Sequence, residues 1–232
     1  MKRFWREARP VEHEGEWQVA LDGRGVKTQA GQPQRVPSAA LARAMAGEWA
    51  AQGEQVDPTA FVLRDLADYA LDVVAPDRNN AARALLTYAE TDTLCYRGDE
   101  GDALHARQID VWEPLLARAE ARWDVRFPRV SGVIATPLSA ETRERMAAVL
   151  EACDPFALAA LTMLASLSAS LVVALAALEP DADAEALWAA ANLEEDWQAE
   201  LWGRDAEAEA ARATRLEAFR QAMRFAALAR GE

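Results

Sequence analysis

The sequence predicts an α+β protein with a small antiparallel β-rich N-terminal domain, followed by a larger all-α C-terminal domain that contains a central apolar helix. Three observations predict this fold class. Apolar and polar residues alternate before Pro37, apolar residues recur at helical spacing after Ser38, and residues 156–178 carry no charged side chain. We place the β-rich domain at residues 1–60 and the helical domain at residues 61–232.

The N-terminal strands are predicted from period-two alternation and turn residues. Residues 17–21 alternate between apolar and polar side chains, and Asp22-Gly23 follows directly. This dipeptide between alternating segments indicates a hairpin with a type I′ turn, which needs positive φ at both central residues. Such a small meander requires a cover on one face. Two further strands are expected, one within residues 4–11 and one around residues 34–36.

The rest of the chain is predicted to be largely helical. Ser38 is a candidate N-cap for the first helix, and Pro114 lies inside a helical pattern, so we expect a kink or two helices there. Residues 125–134 contain β-branched side chains and indicate one further strand, which could join the first sheet. The helical stretches are expected, in chain order, at residues 38–53, 61–74, 79–94, 104–123, 139–153, 156–178, 183–204 and 205–229.

The uncharged stretch at residues 156–178 has two interpretations. Its length would allow it to span a bilayer. Its flanks, however, are acidic and lack lysine and arginine, and its interior contains serine and threonine. We therefore favour a helix buried on all sides within the helical domain over a membrane anchor.

Composition argues against several classes of function. The 232 residues include 25 basic and 38 acidic side chains, which gives a net charge of −13. Nucleic acids and anionic membranes require a basic surface, so we expect neither as a partner. With two cysteines, two histidines and no phosphate-binding glycine loop, the chain is also expected to have no metal site, no cofactor and no nucleotide.

One acidic residue interrupts an apolar stripe in the penultimate helical stretch. Glu194 falls where the helical spacing favours an apolar side chain, and a buried carboxylate without a partner is costly. Two interpretations are open. In the first, Glu194 is located at the margin of the stripe, where it is solvated or paired with an arginine of this chain. In the second, it lies in a groove where it binds an arginine or the backbone amides of a partner. Glu195 and Asp196 are expected to face solvent. The stripe consists of Leu187, Ala190 or Ala191, Glu194, Trp197 and Leu201.

Five groups of residues, taken in order and spacing, resemble a known family. They are Leu21-Asp22-Gly23-Arg24 with Lys27-Thr28; Glu48-Trp49 with Gln52-Gly53 and Asp57-Pro58; Tyr88 to Asp92 with Leu94 to Arg97; Gln108 with Trp112 to Leu115; and Leu193-Glu194-Glu195 with Gln198 and Trp202-Gly203. The chain resembles the chaperones that assemble the catalytic head of ATP synthase by acting on its α subunit, in mitochondria and α-proteobacteria.

The resemblance implies a function and a binding site. Such a chaperone binds the free α subunit and shields its interface until the β subunit replaces it, without catalysis. An acid in the penultimate helix matters for this task, and Glu194 matches it best, with Glu195 as the neighbouring possibility. We also expect a monomer in the bacterial cytoplasm, with eukaryotic relatives in the mitochondrial matrix. The expected partner-binding residues are Glu194, Glu195, Trp197, Gln198, Trp202 and Gly203.

The alternative is an enzyme. A carboxylate-dependent hydrolase or lyase of unknown substrate could use paired acids, such as Asp65 with Asp68 or Glu90 with Asp92, or His105. A pocket that holds two carboxylates together with His105 would favour this interpretation.

Overall fold

The computed structural model describes residues 1–131, 136–203 and 205–232, and it confirms the predicted α+β fold. Strands come first, and the described part of the chain after them is mainly helical. The elements are β1 (Ala8–His13), β2 (Glu16–Leu21), β3 (Arg24–Gly25), β4 (Arg35–Val36), α1 (Ala39–Ala50), α2 (Val62–Tyr69), α3 (Arg78–Glu90), β5 (Tyr96–Arg97), α4 (Ala103–Trp123), β6 (Val130–Ser131), α5 (Ala140–Glu151), α6 (Pro155–Ser168), α7 (Leu171–Ala176), α8 (Ala184–Ala191), α9 (Leu193–Trp202) and α10 (Ala206–Ala229).

The chain forms two compact units. The first contains the strands β1 to β4 with the helices α1 and α2, and the second contains α4, α5, α7, α8 and α9. The predicted domain boundary between residues 60 and 61 stays a prediction. The first unit comprises Met1–Arg78, Asp154–Ala160 and Gln221–Glu232, and the second comprises Asn79–Cys153 and Leu161–Arg220.

The central strand of the N-terminal sheet is β2, which pairs antiparallel with β1, β3 and β4. The predicted hairpin turn after β2 is confirmed, because Asp22 and Gly23 both have positive φ, of 47° and 82°. A second turn of this kind, at Glu14 and Gly15, joins β1 to β2 and was not predicted. The helix α1 packs against β1 and β2 and supplies the cover that a small sheet requires.

The cap of α1 forms as predicted. Ser38 Oγ accepts a hydrogen bond from the backbone N–H of Leu41 at 3.0 Å and donates one to the carbonyl oxygen of Leu228. The five apolar residues that the spacing placed on one face are all buried, namely Leu41, Ala42, Met45, Ala46 and Trp49.

The second and third predicted helices are joined. After α2 the chain continues through a π-helical turn at Ala70–Val74 and a short 3₁₀ turn at Ala75–Asp77 into α3. The π turn carries Asp72, which accepts hydrogen bonds from Thr28 Oγ1 at 2.7 Å and from the Ala30 N–H at 2.9 Å. These bonds attach the loop before β4 to the helix.

Pro114 does not divide its helix. The helix α4 runs through Pro114 as one continuous helix, so the two-helix alternative is wrong, and the kink stays a prediction. Proline removes the hydrogen bond to the carbonyl four residues earlier, at Asp110. Both Asp110 and Pro114 are exposed, so water can reach this carbonyl and the helix continues.

The predicted strand at residues 125–134 does not join the first sheet. Its strand residues form β6, which pairs in parallel with β5, and residues 132–134 lie outside the described residues. Ion pairs hold this segment near α4: Arg97 and Arg129 both contact Glu113, at 2.6 and 2.5 Å. Hydrogen bonds from these two arginines, of which the one from Arg129 has the larger effect, lower the pKa of the Glu113 carboxyl to about 2.

The uncharged stretch forms two helices, α6 and α7, where a single central helix was expected. The chain turns at Ala169, which has a positive φ of 49°, and α7 begins with Ser170 as its N-cap. In the part of the chain that the structure describes, no helix has the length and apolarity needed to cross a membrane.

The carboxylate of Asp92 holds the turn between α6 and α7. Asp92 is completely buried, and its oxygens accept hydrogen bonds from the N–H groups of Leu94 at 3.1 Å and Val172 at 3.0 Å. Next to it, the backbone N–H and side-chain hydroxyl of Thr93 both donate to the carbonyl of Ala169. Asp92 therefore connects the end of α3 to the start of α7.

We expect Asp92→Asn to lower the free energy of unfolding by about 1–3 kcal/mol, because an amide presents one acceptor oxygen where two N–H groups now bind two carboxylate oxygens. Urea denaturation followed by circular dichroism measures this loss. The control is Asp102→Asn, at the N-cap of α4, where the side chain makes no capping hydrogen bond. A change of the same size in both variants would contradict the role of Asp92.

The stability contribution of Asp92 is also expected to depend on pH. Burial raises the pKa of Asp92 to about 6. The folded protein then binds a proton at Asp92 more tightly than the unfolded chain does. Protonation of Asp92 therefore stabilises the fold as the pH falls from about 6 towards 4, and this stabilisation is lost as the pH rises through 6. The stability difference between the wild type and Asp92→Asn should be about 1–2 kcal/mol larger at pH 4.5 than at pH 7. Equal differences at both pH values would contradict this.

Candidate functional site

The predicted site lies on α9, and a break before this helix decides which residues are exposed. Asn192 separates α8 from α9; it is buried, and its side-chain amide donates to the Trp188 carbonyl at 2.9 Å. The break shifts the helical phase, so that Leu193 is buried and Glu194 is exposed. The predicted apolar stripe therefore ends at Asn192, and Leu201 is 58% exposed.

On one side of α9, two acids pair with arginines of α10. Asp196 binds Arg212 through both carboxylate oxygens, one of them at 2.7 Å, and both side chains are less than one-fifth exposed. Glu195 lies 3.2 Å from Arg215. The expectation that Asp196 faces solvent is thus wrong, because Arg212, sixteen residues further along the chain, covers it.

On another side of α9, Arg107 of α4 holds both an acid and an aromatic ring. Its guanidinium binds Glu200 through two hydrogen bonds of 2.6 and 3.0 Å. It also lies 5.7 Å from the centroid of the half-buried Trp197 ring, which is within the range of a cation–π contact. The ring of Trp197 therefore already makes a cation–π contact with an arginine of its own chain.

Glu194 differs from the three other acids of α9. Its hydrogen-bond partner is the neutral side-chain amide of Gln108, with Nε2 at 2.7 Å from Glu194 Oε1. Within residues 1–131, 136–203 and 205–232, no basic side chain lies within ion-pair distance of this carboxylate. Glu194 thus presents an exposed negative charge that the described part of the chain does not neutralise.

A groove of about 450 Å³ separates α9 from the start of α10. Predicted site residues line one wall of it, and Arg212 and Arg215 line the other. Trp202 is 78% exposed at the end of this groove. Glu194 and Trp197 contact α4 and are not part of the groove lining. The predicted residues that the groove brings together are Glu195, Gln198, Trp202 and Gly203.

Gly203 ends α9 with a backbone that other residues rarely adopt. Its φ of 94° and ψ of 165° fall in a region that is essentially restricted to glycine. The turn leaves Leu201 and Trp202 exposed on the last turn of α9.

The residues suggested for catalysis have structural partners. Glu90 pairs with Arg143 at 2.8 Å, Asp92 is enclosed, and Nδ1 of His105 lies 2.9 Å from the carbonyl oxygen of Gly98. Burial raises the pKa of the Cys95 thiol to about 12, which leaves it protonated and unreactive. Among the residues with described positions, no cluster of three histidine, cysteine or acidic side chains could hold a metal ion.

Comparison with known proteins gives the family. The family model for the ATP12 chaperone protein matches residues 2–120. The chain belongs to the ATP12 chaperone family. This confirms the resemblance to ATP synthase assembly chaperones that the sequence motifs carry. The match ends within α4, so the residues of α9 lie beyond it.

Individual relatives cover more of the chain. The crystal structure of Atp12 from Paracoccus denitrificans is 39% identical, with a TM-score of 0.93, and the match covers 98% of each chain. A mutant of the same protein gives the same identity and TM-score and covers 98% of this chain and 97% of its own. The mitochondrial protein atp12 of Schizosaccharomyces pombe is 27% identical over an alignment of 214 residues, and the match covers 87% of this chain and 74% of the relative.

The partners of the α9 side chains are not evident from the sequence. Gln108 belongs to a family motif that gives it no role, and no local pattern links Arg107 to Glu200 or Arg212 to Asp196. Arg107 and Glu200 are 93 positions apart, so the spacing gave no signal for their pairing.

We expect Gly203→Ala to lower the free energy of unfolding by about 1–3 kcal/mol, because a Cβ atom strains the backbone at this φ and ψ. Denaturant unfolding monitored by circular dichroism provides the measurement. The control is Gly47→Ala inside α1, where a Cβ atom would meet nothing within 4 Å and alanine favours the helix. Unchanged stability in Gly203→Ala would show that the turn after α9 tolerates other residues.

Proposed function

We propose that this protein binds the free α subunit of ATP synthase through α9 and shields the surface that the β subunit later covers. Membership in the ATP12 chaperone family supports a role in ATP synthase assembly. The observation that carries the choice of α9 is the exposed carboxylate of Glu194, which lacks a cationic partner among the described residues, on the same helix as two exposed apolar side chains, Leu201 and Trp202.

The two features match the two requirements of a protein-binding surface. Tryptophan side chains contribute a large share of the energy at interfaces when a partner covers them, and Trp202 is free to be covered. An unpaired carboxylate adds specificity, because it favours a partner with a basic side chain and disfavours one with an acidic side chain. We propose Glu194, Glu195, Trp197, Gln198, Trp202 and Gly203 as the partner-binding residues.

Glu194 is favoured over Glu195 as the critical acid. Glu195 already lies near Arg215, whereas Glu194 is held by the neutral amide of Gln108. A partner's cation would have to compete with Arg215 for Glu195 but would meet no competing cation of the described chain at Glu194. This difference separates two neighbouring acids that the sequence alone leaves as alternatives.

The mechanism we propose is competitive burial without catalysis. A free subunit of a hexameric head exposes apolar surface, which promotes aggregation. A chaperone that covers this surface reversibly keeps the subunit soluble until the β subunit takes its place. This mechanism consumes no nucleotide and requires no cofactor.

Co-expression with the α subunit tests the proposal. We expect wild-type protein to keep the α subunit in the soluble fraction and Glu194→Lys to reduce the soluble amount at least several-fold, because the substitution replaces attraction with repulsion. Glu144→Lys, which makes the same change in charge at an exposed acid of α5, should retain most of the activity. Circular dichroism of each purified variant controls for folding.

Two outcomes would contradict the proposal at different levels. If the α subunit stays insoluble with the wild type, the partner is wrong. If Glu194→Lys and the wild type maintain equal amounts of soluble α subunit, the partner stands and the site on α9 is wrong.

A further inference from the structure

The carboxylate of Glu194 rests on a buried amide that is itself fixed by the backbone. Gln108 is 0% exposed and lies on α4. Its Oε1 accepts a hydrogen bond from the Gly98 N–H at 2.9 Å, and its Nε2 donates to Glu194 Oε1 at 2.7 Å. One side chain thus links a backbone donor to the exposed acid.

The hydrogen-bond chemistry allows one orientation of the Gln108 amide. The Gly98 N–H can only donate, so the amide oxygen must face it, and the NH₂ group must then face Glu194. The flipped amide would place two donors against each other at Gly98 and two acceptors against each other at Glu194. The Gly98 N–H therefore fixes the amide orientation in which the Gln108 NH₂ group donates to Glu194.

The Gly98 peptide is held on its other side as well. Nδ1 of His105 lies 2.9 Å from the Gly98 carbonyl oxygen, so the ring can donate to it, and His105 lies one helical turn before Gln108. The preceding residue, Arg97, is fixed by its ion pair with Glu113. Contacts from His105 and Arg97 thus hold the backbone on both sides of the Gly98 N–H that orients Gln108.

A neutral donor fixes a carboxylate without cancelling its charge. The other three acids of α9 are held by arginines, which both orient and neutralise them. Gln108 orients Glu194 through Oε1 and leaves the full negative charge and the second oxygen, Oε2, for another cation. Preorganisation of this kind lowers the entropy lost when a partner binds.

We infer that Gln108 is a positioning residue for partner binding, which holds Glu194 ready to receive a cationic side chain of the partner. This inference rests on the proposed function. Gln108 itself is enclosed and acts only through Glu194.

A double-mutant cycle separates this role from a general effect on the fold. Gln108→Met keeps the size of the side chain and removes both hydrogen bonds, and Glu194→Gln removes the charge while keeping the shape. The dissociation constant for purified ATP synthase α subunit is measured for the wild type, both single variants and the double variant. We expect Gln108→Met to weaken binding roughly tenfold in the wild type and by no more than about twofold when Glu194→Gln is present.

The outcomes distinguish the inference from the proposed function. An equal loss in both backgrounds, or no loss in either, would overturn the positioning role while α-subunit binding by the wild type stands. Absence of binding by the wild type would overturn both.

A second measurement does not require any Gln108 variant to fold. In ¹⁵N NMR spectra the side-chain NH₂ signals of Gln108 should shift by clearly more in Glu194→Gln than in the neighbouring control Glu195→Gln. Equal shifts in the two variants would contradict the contact between Gln108 and Glu194.

Discussion

The arrangement of the helices depends on the hydrogen bonds that the backbone N–H and C=O groups make near Ala169, where the uncharged stretch is divided between α6 and α7. Ser170 Oγ accepts a hydrogen bond from the Val173 N–H, but the Val172 N–H needs an acceptor from elsewhere in the chain. Asp92 supplies it from 80 positions away, and Thr93 caps the Ala169 carbonyl in return. The carboxyl group is buried completely at this point, and its hydrogen bonds to the N–H groups of Leu94 and Val172 offset only part of the cost of removing the carboxylate from water.

The helix α4 connects α7 to the candidate site on α9. This helix packs against α7 and also against α9. The indole N–H of Trp112 donates to the Ala190 carbonyl at 2.7 Å and fixes the end of α8, while Arg107 and Gln108 of the same helix hold α9. One helix therefore orients both the segment that precedes the site and the site itself.

Features with local causes could be predicted from the sequence, and features with distant partners could not. The Asp22-Gly23 turn and the cap at Ser38 depend on neighbouring residues, and both form as expected. The breaks at Ala169 and Asn192 depend on tertiary hydrogen bonds and burial, so continuous helices were expected there. For the same reason the sequence singled out Glu194 as an anomaly and named the surrounding residues through a family resemblance, but could not supply the neutral partner that distinguishes Glu194 from its neighbours.

The limited strength of one exposed charge suits a chaperone that must release its client. A solvated ion pair contributes about 0–1 kcal/mol, because water screens it and two side chains lose freedom. In the binding mode we propose, the ion pair becomes stronger when the partner covers the surface of α9 and excludes water. Affinity then comes from the whole surface acting together. In the proposed mechanism, a competing subunit that displaces the apolar contacts also exposes the ion pair to water, so release requires no separate energy source.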